Sequence, residues 1–118
     1  MIPLSAFGEC ATMEIGALVP KPTSFEGDQH EGTAKLWQSA DGATRVGVWE
    51  CTPGRFTADR TAMAELCHIL WGRVTLHNAD GTTRDFGPGE MFVLPKGWTG
   101  AWTIHERTRK IYILSDGG

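Results

Sequence analysis

From Lys35 onward the chain breaks into short apolar or alternating runs, each closed by turn-forming residues: Asp41-Gly42, Pro53-Gly54, Gly72, Asp80-Gly81, Pro88-Gly89 and Pro95-Lys96-Gly97. Glycine supplies positive φ and proline removes a backbone donor, so such residues end strands and begin turns. The runs between them predict strands over Lys35–Gln38, Arg45–Thr52, Ala62–Leu70, Arg73–Asn78, Thr82–Phe86, Met91–Leu94, Thr99–Ile104 and Arg109–Leu114. No segment carries a helical stripe, and many short strands at this spacing predict an all-β antiparallel sandwich or barrel. Asn78-Ala79-Asp80-Gly81 is a hairpin signal. Residues 1–34 hold Pro3, Pro20, Pro22 and several glycines without a sustained period. They predict an irregular N-terminal arm with one or two edge strands, followed by a barrel over 35–118.

Alternation within the strands sorts side chains by face. In Ala62–Leu70, Glu65, Cys67 and Ile69 share one face and Leu66, His68 and Leu70 the other. Both faces are largely apolar, so one should line the interior while the arm or a second subunit covers the other; a homodimer is expected. In Arg109–Leu114 the set Lys110, Tyr112 and Leu114 opposes Arg109, Ile111 and Ile113, and Trp98, Gly100 and Trp102 share a face in their run.

Composition narrows the function. The chain has 118 residues, 41% hydrophobic and 21% charged, with a net charge of −3, which fits one soluble globular domain with a single core. Scattered basic residues and an acidic excess argue against a nucleic-acid partner. No apolar run approaches the length of a membrane span and the N-terminus has no secretory pattern, so a cytoplasmic protein without a membrane partner is expected. Cys10, Cys51 and Cys67 are an odd number without zinc-type spacing and should stay reduced thiols.

Two segments carry a resemblance: Gly54 to Gly72, ending in Glu65-Leu66-Cys67-His68-Ile69-Leu70-Trp71-Gly72, and Gly89 through Pro95, Gly97 and Gly100. They resemble the two motifs of the cupins. The first motif runs from a glycine through a His-x-His pair to a glutamate and, after six residues, a glycine; Gly54, Glu65 and Gly72 keep that frame. The second is a glycine, five residues, Pro-x-Gly and then a histidine; Gly89, Pro95 and Gly97 keep it. The match over residues 35 to 114 is similar to the DUF861-type cupins, a subgroup that includes ethanolamine-utilisation cupins and ureidoglycine aminohydrolase. It implies a single-domain cupin, a jelly-roll antiparallel barrel (double-stranded β-helix) with a pocket inside.

The departures bear on chemistry. The resemblance implies a metal held by three histidines and a glutamate. Here the His-x-His positions are Asp59 and Thr61, or Ala58 and Arg60, and the second-motif histidine is Gly100. Glu65 alone stays in place, with Asp59 a possible second oxygen ligand for a weakly bound divalent metal. Borderline metals favour nitrogen donors, so a metal-free pocket without cofactor is expected.

Glu65, Lys110 and Tyr112 are then the candidate catalytic group. Burial of Glu65 should raise its pKa into the range of a general acid or base, with Lys110 and Tyr112 gripping a small polar metabolite that carries a carboxylate or amide. Trp98, Gly100 and Trp102 are candidate substrate-binding residues, two indoles flanking a gap, joined by Asp59 and Cys67. Two functions stay open: a small-molecule enzyme of hydrolase, isomerase or lyase type, and a noncatalytic metabolite-binding or structural cupin whose Glu65 and Lys110 form only a buried ion pair.

Overall fold

A computed structural model describes residues 1–116. Its elements are β1 (Val19–Pro20), β2 (Ser24–Glu26), β3 (His30–Gln38), β4 (Thr44–Cys51), β5 (Gly54–Arg60), β6 (Ala64–Asn78), β7 (Thr83–Phe86), β8 (Met91–Leu94) and β9 (Trp98–Ser115). Among the described residues there is no helix, hence none long and apolar enough to cross a membrane. All pairings are antiparallel, and the strands curl into one sheet ordered β1-β3-β4-β9-β5-β2, with β6 joined to β7, β8 and β9. The architecture is the all-β cupin barrel.

Two long strands make the closure. Along one edge, β9 pairs with β4 through Thr108–Ser115 and with β5 through Trp98–Ile104, while β6 follows its other edge from Ser115 to Gly100. The sequence pattern predicts each as two shorter strands, Ala62–Leu70 with Arg73–Asn78 and Thr99–Ile104 with Arg109–Leu114. Gly72 bends β6 without ending it: its φ of 98° lies in the left-handed region, and a Cβ there would collide with Thr108 of β9. The register of β6 against β9 shifts repeatedly from Ile69 to Val74, so the corner is a run of bulges rather than a loop. The Asn78–Gly81 hairpin forms, with Asn78 N donating to Thr82 O at 2.8 Å.

Other departures lie toward the N-terminus. Sequence pattern left Gly54–Arg60 out of the strands, yet it is β5, whose inward positions hold only Phe56, Ala58 and Arg60. β3 starts at His30, so the boundary between arm and barrel drawn at residues 34 and 35 falls inside a strand.

The core is aromatic. Trp49, Phe56 and Trp102 pack with ring centroids 5.6 to 5.8 Å apart, and Phe86 stacks on Phe92 at 4.3 Å. On the outer face the arm is latched down. Buried Glu50 takes Arg109 at 2.7 Å and also Arg107, while Arg109 Nη1 donates to the carbonyls of Cys10 (3.0 Å) and Met13 (2.7 Å). Trp71 Nε1 donates to Ala11 O at 2.9 Å. Farther along the outside, Met91 and Val93 stay 55% exposed beside Leu66 and His68.

Removing Arg109 leaves Glu50 half-paired under the arm and frees two carbonyls. Arg109→Met should therefore cost about 3 to 5 kcal/mol in chemical denaturation, and hydrogen exchange should show residues 9–18 losing protection before the barrel strands do.

Candidate functional site

The barrel encloses a cavity of about 220 Å³ lined by Trp49, Phe56, Trp102, Tyr112, Leu114, Thr33 and the charged side chains of Lys21, Glu31, Arg60, Glu65 and Lys110. Alternation in β6 turns Glu65, Cys67 and Ile69 inward, all 3% exposed or less. In β9 it turns Lys110, Tyr112 and Leu114 to the same side. These strands bring the carboxylate and the ammonium together: Lys110 Nζ donates to Glu65 Oε2 at 2.8 Å. The other carboxylate oxygen is taken by Arg60 Nε at 2.9 Å. Lys110 Nζ also sits over the rings of Trp102 (4.2 Å) and Trp49 (4.5 Å), where the quadrupole of each indole face attracts a cation.

The arm supplies a second pair that sequence reasoning missed. Lys21 Nζ donates to Glu31 Oε1 at 2.7 Å and lies 4.2 Å from the centre of the Phe56 ring, and Trp49 Nε1 donates to the same Glu31 oxygen at 2.9 Å. One indole therefore touches both pairs, the first through its face and the second through its N–H. From sequence, Arg60 stands only at a possible histidine position of the first motif. Once Gly54–Arg60 is known as a strand, the parity of Phe56, Ala58 and Arg60 points Arg60 inward.

These contacts decide protonation. Burial pushes the Glu65 carboxyl up, but the Lys110 ammonium and then Arg60 outweigh it and hold the group below its ordinary value of 4.5. The expected raised carboxylic acid is thus corrected: Glu65 is a fixed anion with both oxygens engaged. Burial likewise works against the Lys110 charge, yet Cys67 and Glu65 beside it leave the ammonium above its ordinary range. It is a permanent cation, not an amine nucleophile. Burial raises the Tyr112 phenol, which stays neutral, and its hydroxyl has no hydrogen-bond partner among the described residues. Burial also pushes the Cys67 thiol up to about 12 and Cys51 up to about 11, so neither is a thiolate at neutral pH.

The remaining candidates lie apart from the cavity. Trp98 donates from Nε1 to Asn78 Oδ1 at 2.9 Å and lines a different cleft with Leu76, Phe86 and Phe92. Gly100 is no gap, because a Cβ on it would strike His77 O and the Trp98 ring. Asp59 is exposed on the outward side of β5, where its carboxylate accepts from Thr61 N at 2.8 Å. Cys67 points inward but is sealed beneath the cavity wall. Of the proposed binding residues only Trp102 lines the cavity.

A metal does not suit these residues. Glu65 and Asp59 face opposite sides of the barrel wall, and no three His, Cys, Asp or Glu side chains converge among the described residues. A divalent cation at Glu65 would meet Lys110 and Arg60 already on its oxygens, with no imidazole at hand. His105, the nearest histidine to the motif position, is hydrogen-bonded to Thr75 on the exposed outer face.

The pair predicts a pH profile. Because the folded carboxyl of Glu65 lies below 4.5, the unfolded chain binds the proton more readily near that pH, so stability is present above it and falls as the pH drops through the folded value. Denaturation curves taken from about pH 7 down to about pH 3 should show this loss. Glu65→Gln should flatten the acid limb in part, with Glu31, Asp41, Asp59 and Asp80, whose carboxyls are also held low, contributing to what remains, and Lys110→Met should cost about 3 kcal/mol near neutral pH by leaving the buried carboxylate to Arg60 alone.

Comparison with known proteins agrees with this architecture. The EutQ-like cupin domain profile matches residues 38–112. No curated protein matches the sequence. Among solved structures, a DUF861-family protein of unknown function from Pseudomonas syringae aligns with a TM-score of 0.73 and 23% identity over 86% of this chain; this chain spans 45% of that protein's length. A putative ethanolamine utilisation protein Q from Salmonella typhimurium aligns with a TM-score of 0.70 and 17% identity, covering 98% of this chain and 94% of its own. A DUF861-family protein from Thermotoga maritima is 31% identical over 55% of this chain and 73% of its own, with a TM-score of 0.52. The profile takes in most of the barrel from the end of β3 to Tyr112, so the chain belongs to the EutQ-like cupin family.

Proposed function

We propose that the barrel cavity binds a small polar metabolite in a site whose charges are set before the ligand arrives, with Glu65 and Lys110 holding its shape and potential rather than exchanging protons. The observation that carries this reading is the engagement of both Glu65 oxygens, by Lys110 at 2.8 Å and Arg60 at 2.9 Å, at the wall of an open cavity. A general base needs a pKa near the working pH; the Glu65 carboxyl lies below 4.5, and each of its oxygens is already held by a cation. Concave, aromatic-walled space with a few convergent polar groups is the usual form of a small-molecule site.

One structural neighbour, the Salmonella typhimurium protein, carries ethanolamine utilisation in its name. An ammonium ligand of that kind would enter a cavity that already presents Lys21, Arg60 and Lys110, which disfavours it here. A catalytic reading has one support, the Tyr112 hydroxyl, a neutral phenol free to donate a proton into the cavity.

A metabolite library read by thermal shift tests the proposal. A ligand present at about 100 times its Kd adds roughly 2.7 kcal/mol to folding stability, on the order of 10 °C in Tm for a domain of this size. Thr33→Trp, an exposed strand position at the cavity, should fold and lose those shifts. Shifts equal in both proteins would place the ligands elsewhere and sink the proposal. Turnover of any hit, followed by NMR and lost in Tyr112→Phe, would move the chain to the enzyme reading.

A further inference from the structure

The cavity has a surplus of positive charge. Lys21, Arg60 and Lys110 face it against Glu31 and Glu65, one net positive charge inside a protein whose net charge is −3. Both carboxyls are held below their ordinary values and therefore ionised. At Glu31, burial works in the opposite direction and is outweighed by Lys21 and Trp49.

Donors are in surplus as well. An ammonium has three N–H donors and a guanidinium five. Lys110 gives one hydrogen bond to Glu65 and Lys21 one to Glu31. Arg60 spends Nε on Glu65 and Nη1 on the Asp59 carbonyl, which leaves Nη2 without a partner among the described residues. The Tyr112 and Thr33 hydroxyls likewise find none there. An acceptor-rich ligand suits such a set, and an ionised carboxylate is acceptor-only.

The donors are also pre-positioned. Lys110 is pinned over Trp49 and Trp102, and Lys21 over Phe56, so little side-chain entropy remains to be lost on binding. Between them the walls are flat rings, and the volume equals about seven water molecules at roughly 30 Å³ each. Positive charge continues outward: Tyr112 and Leu114 also border a depression at the barrel end that holds Lys35 and Arg45 and no acidic residue.

We infer that the ligand is a small, flat organic acid, a monocarboxylate with an aromatic or conjugated body, whose carboxylate takes the unspent donors of Arg60, Lys21, Lys110 and Tyr112. The inference rests on the binding reading above and adds the sign of the ligand's charge and its shape. Lys35 and Arg45 act at the mouth by drawing the anion in.

Three probes of one shape and different charge test it: benzoate, benzamide and benzylammonium, titrated against tryptophan fluorescence and thermal shift at low salt. Benzoate should bind at least tenfold more tightly than benzamide, and benzylammonium should not bind. Arg60→Gln should bring benzoate close to benzamide. Arg45→Glu should weaken benzoate several-fold at low salt and little at high salt, where a Debye length of about 3 Å at 1 M screens the mouth. Benzamide or benzylammonium binding as well as benzoate would overturn the inference, as would benzoate binding that Arg60→Gln and Thr33→Trp both leave unchanged. Library ligands that are neutral or cationic, with none of the three probes binding, overturn the acid inference but leave the binding site standing. No ligand from either set overturns both.

Discussion

A buried ammonium sets the terms for this barrel. Lys110 is 5% exposed, and taking an ion of that size out of water costs several kcal/mol unless a counter-charge and good geometry repay it. Glu65 must therefore be ionised and within hydrogen-bond reach, which fixes β6 beside β9. The faces of Trp49 and Trp102 must lie over the same nitrogen, which fixes β4 and the lower half of β9. Apolar side chains alone tolerate some slippage, because one packs nearly as well as another of similar volume. A charge paired at 2.8 Å and sandwiched between indoles does not. A one-residue slip of β9 would turn Lys110 out and bring Arg109 or Ile111 against Glu65.

Trp49 carries that constraint to the arm. Its face holds Lys110 and its N–H holds Glu31, which in turn holds Lys21. The next residue, Glu50, points the opposite way and binds Arg109, whose other N–H groups clamp the carbonyls of Cys10 and Met13. Adjacent positions of β4 thus secure the arm on both sides of one strand, through an ion pair inside the barrel and another outside it. The alternation of Lys110 and Arg109 in β9 mirrors this, each cation matched across the sheet to a carboxylate on its own face. Residues that read as an irregular arm are consequently part of the site, not a wrapping around it.

The barrel was legible because its signals are local: glycine and proline punctuate strands wherever they stand, and parity within Ala62–Leu70 or Arg109–Leu114 depends only on neighbours. Glu65 facing Lys110 and Tyr112 could be read from that parity. The protonation of Glu65 could not, since burial and two cations act in opposite directions and only geometry says which prevails. Gly54–Arg60 was hidden because its single large apolar residue, Phe56, gives no alternation to detect, and Arg60 was hidden with it. Lys21 and Glu31 lie ten residues apart in a segment rich in proline and glycine, and nothing short of the folded chain sets them against Trp49. Trp98 and Gly100 share a face with Trp102 as expected, but the Trp98 ring folds down over Gly100 and fills the space that a shared face alone suggested was open.

Glu65 stands where the cupin motif places a metal-binding carboxylate, and here the chain answers it with its own cations. The exchange alters what the site can do. A bound metal offers open coordination positions and acidifies the water it holds; an ammonium and a guanidinium offer directed N–H donors and charges that no chelator removes. Such donors polarise a ligand only by hydrogen bonding and by their fixed field, which grows where aromatic walls replace water and screening is weaker. Recognition gains from this arrangement, because the field is preorganised and specific in sign. Proton transfer does not, because the same field that makes Lys110 a dependable cation and Glu65 a dependable anion withdraws both from acid–base work near neutral pH, leaving the Tyr112 phenol as the ionisable cavity group without a hydrogen-bond partner among the described residues.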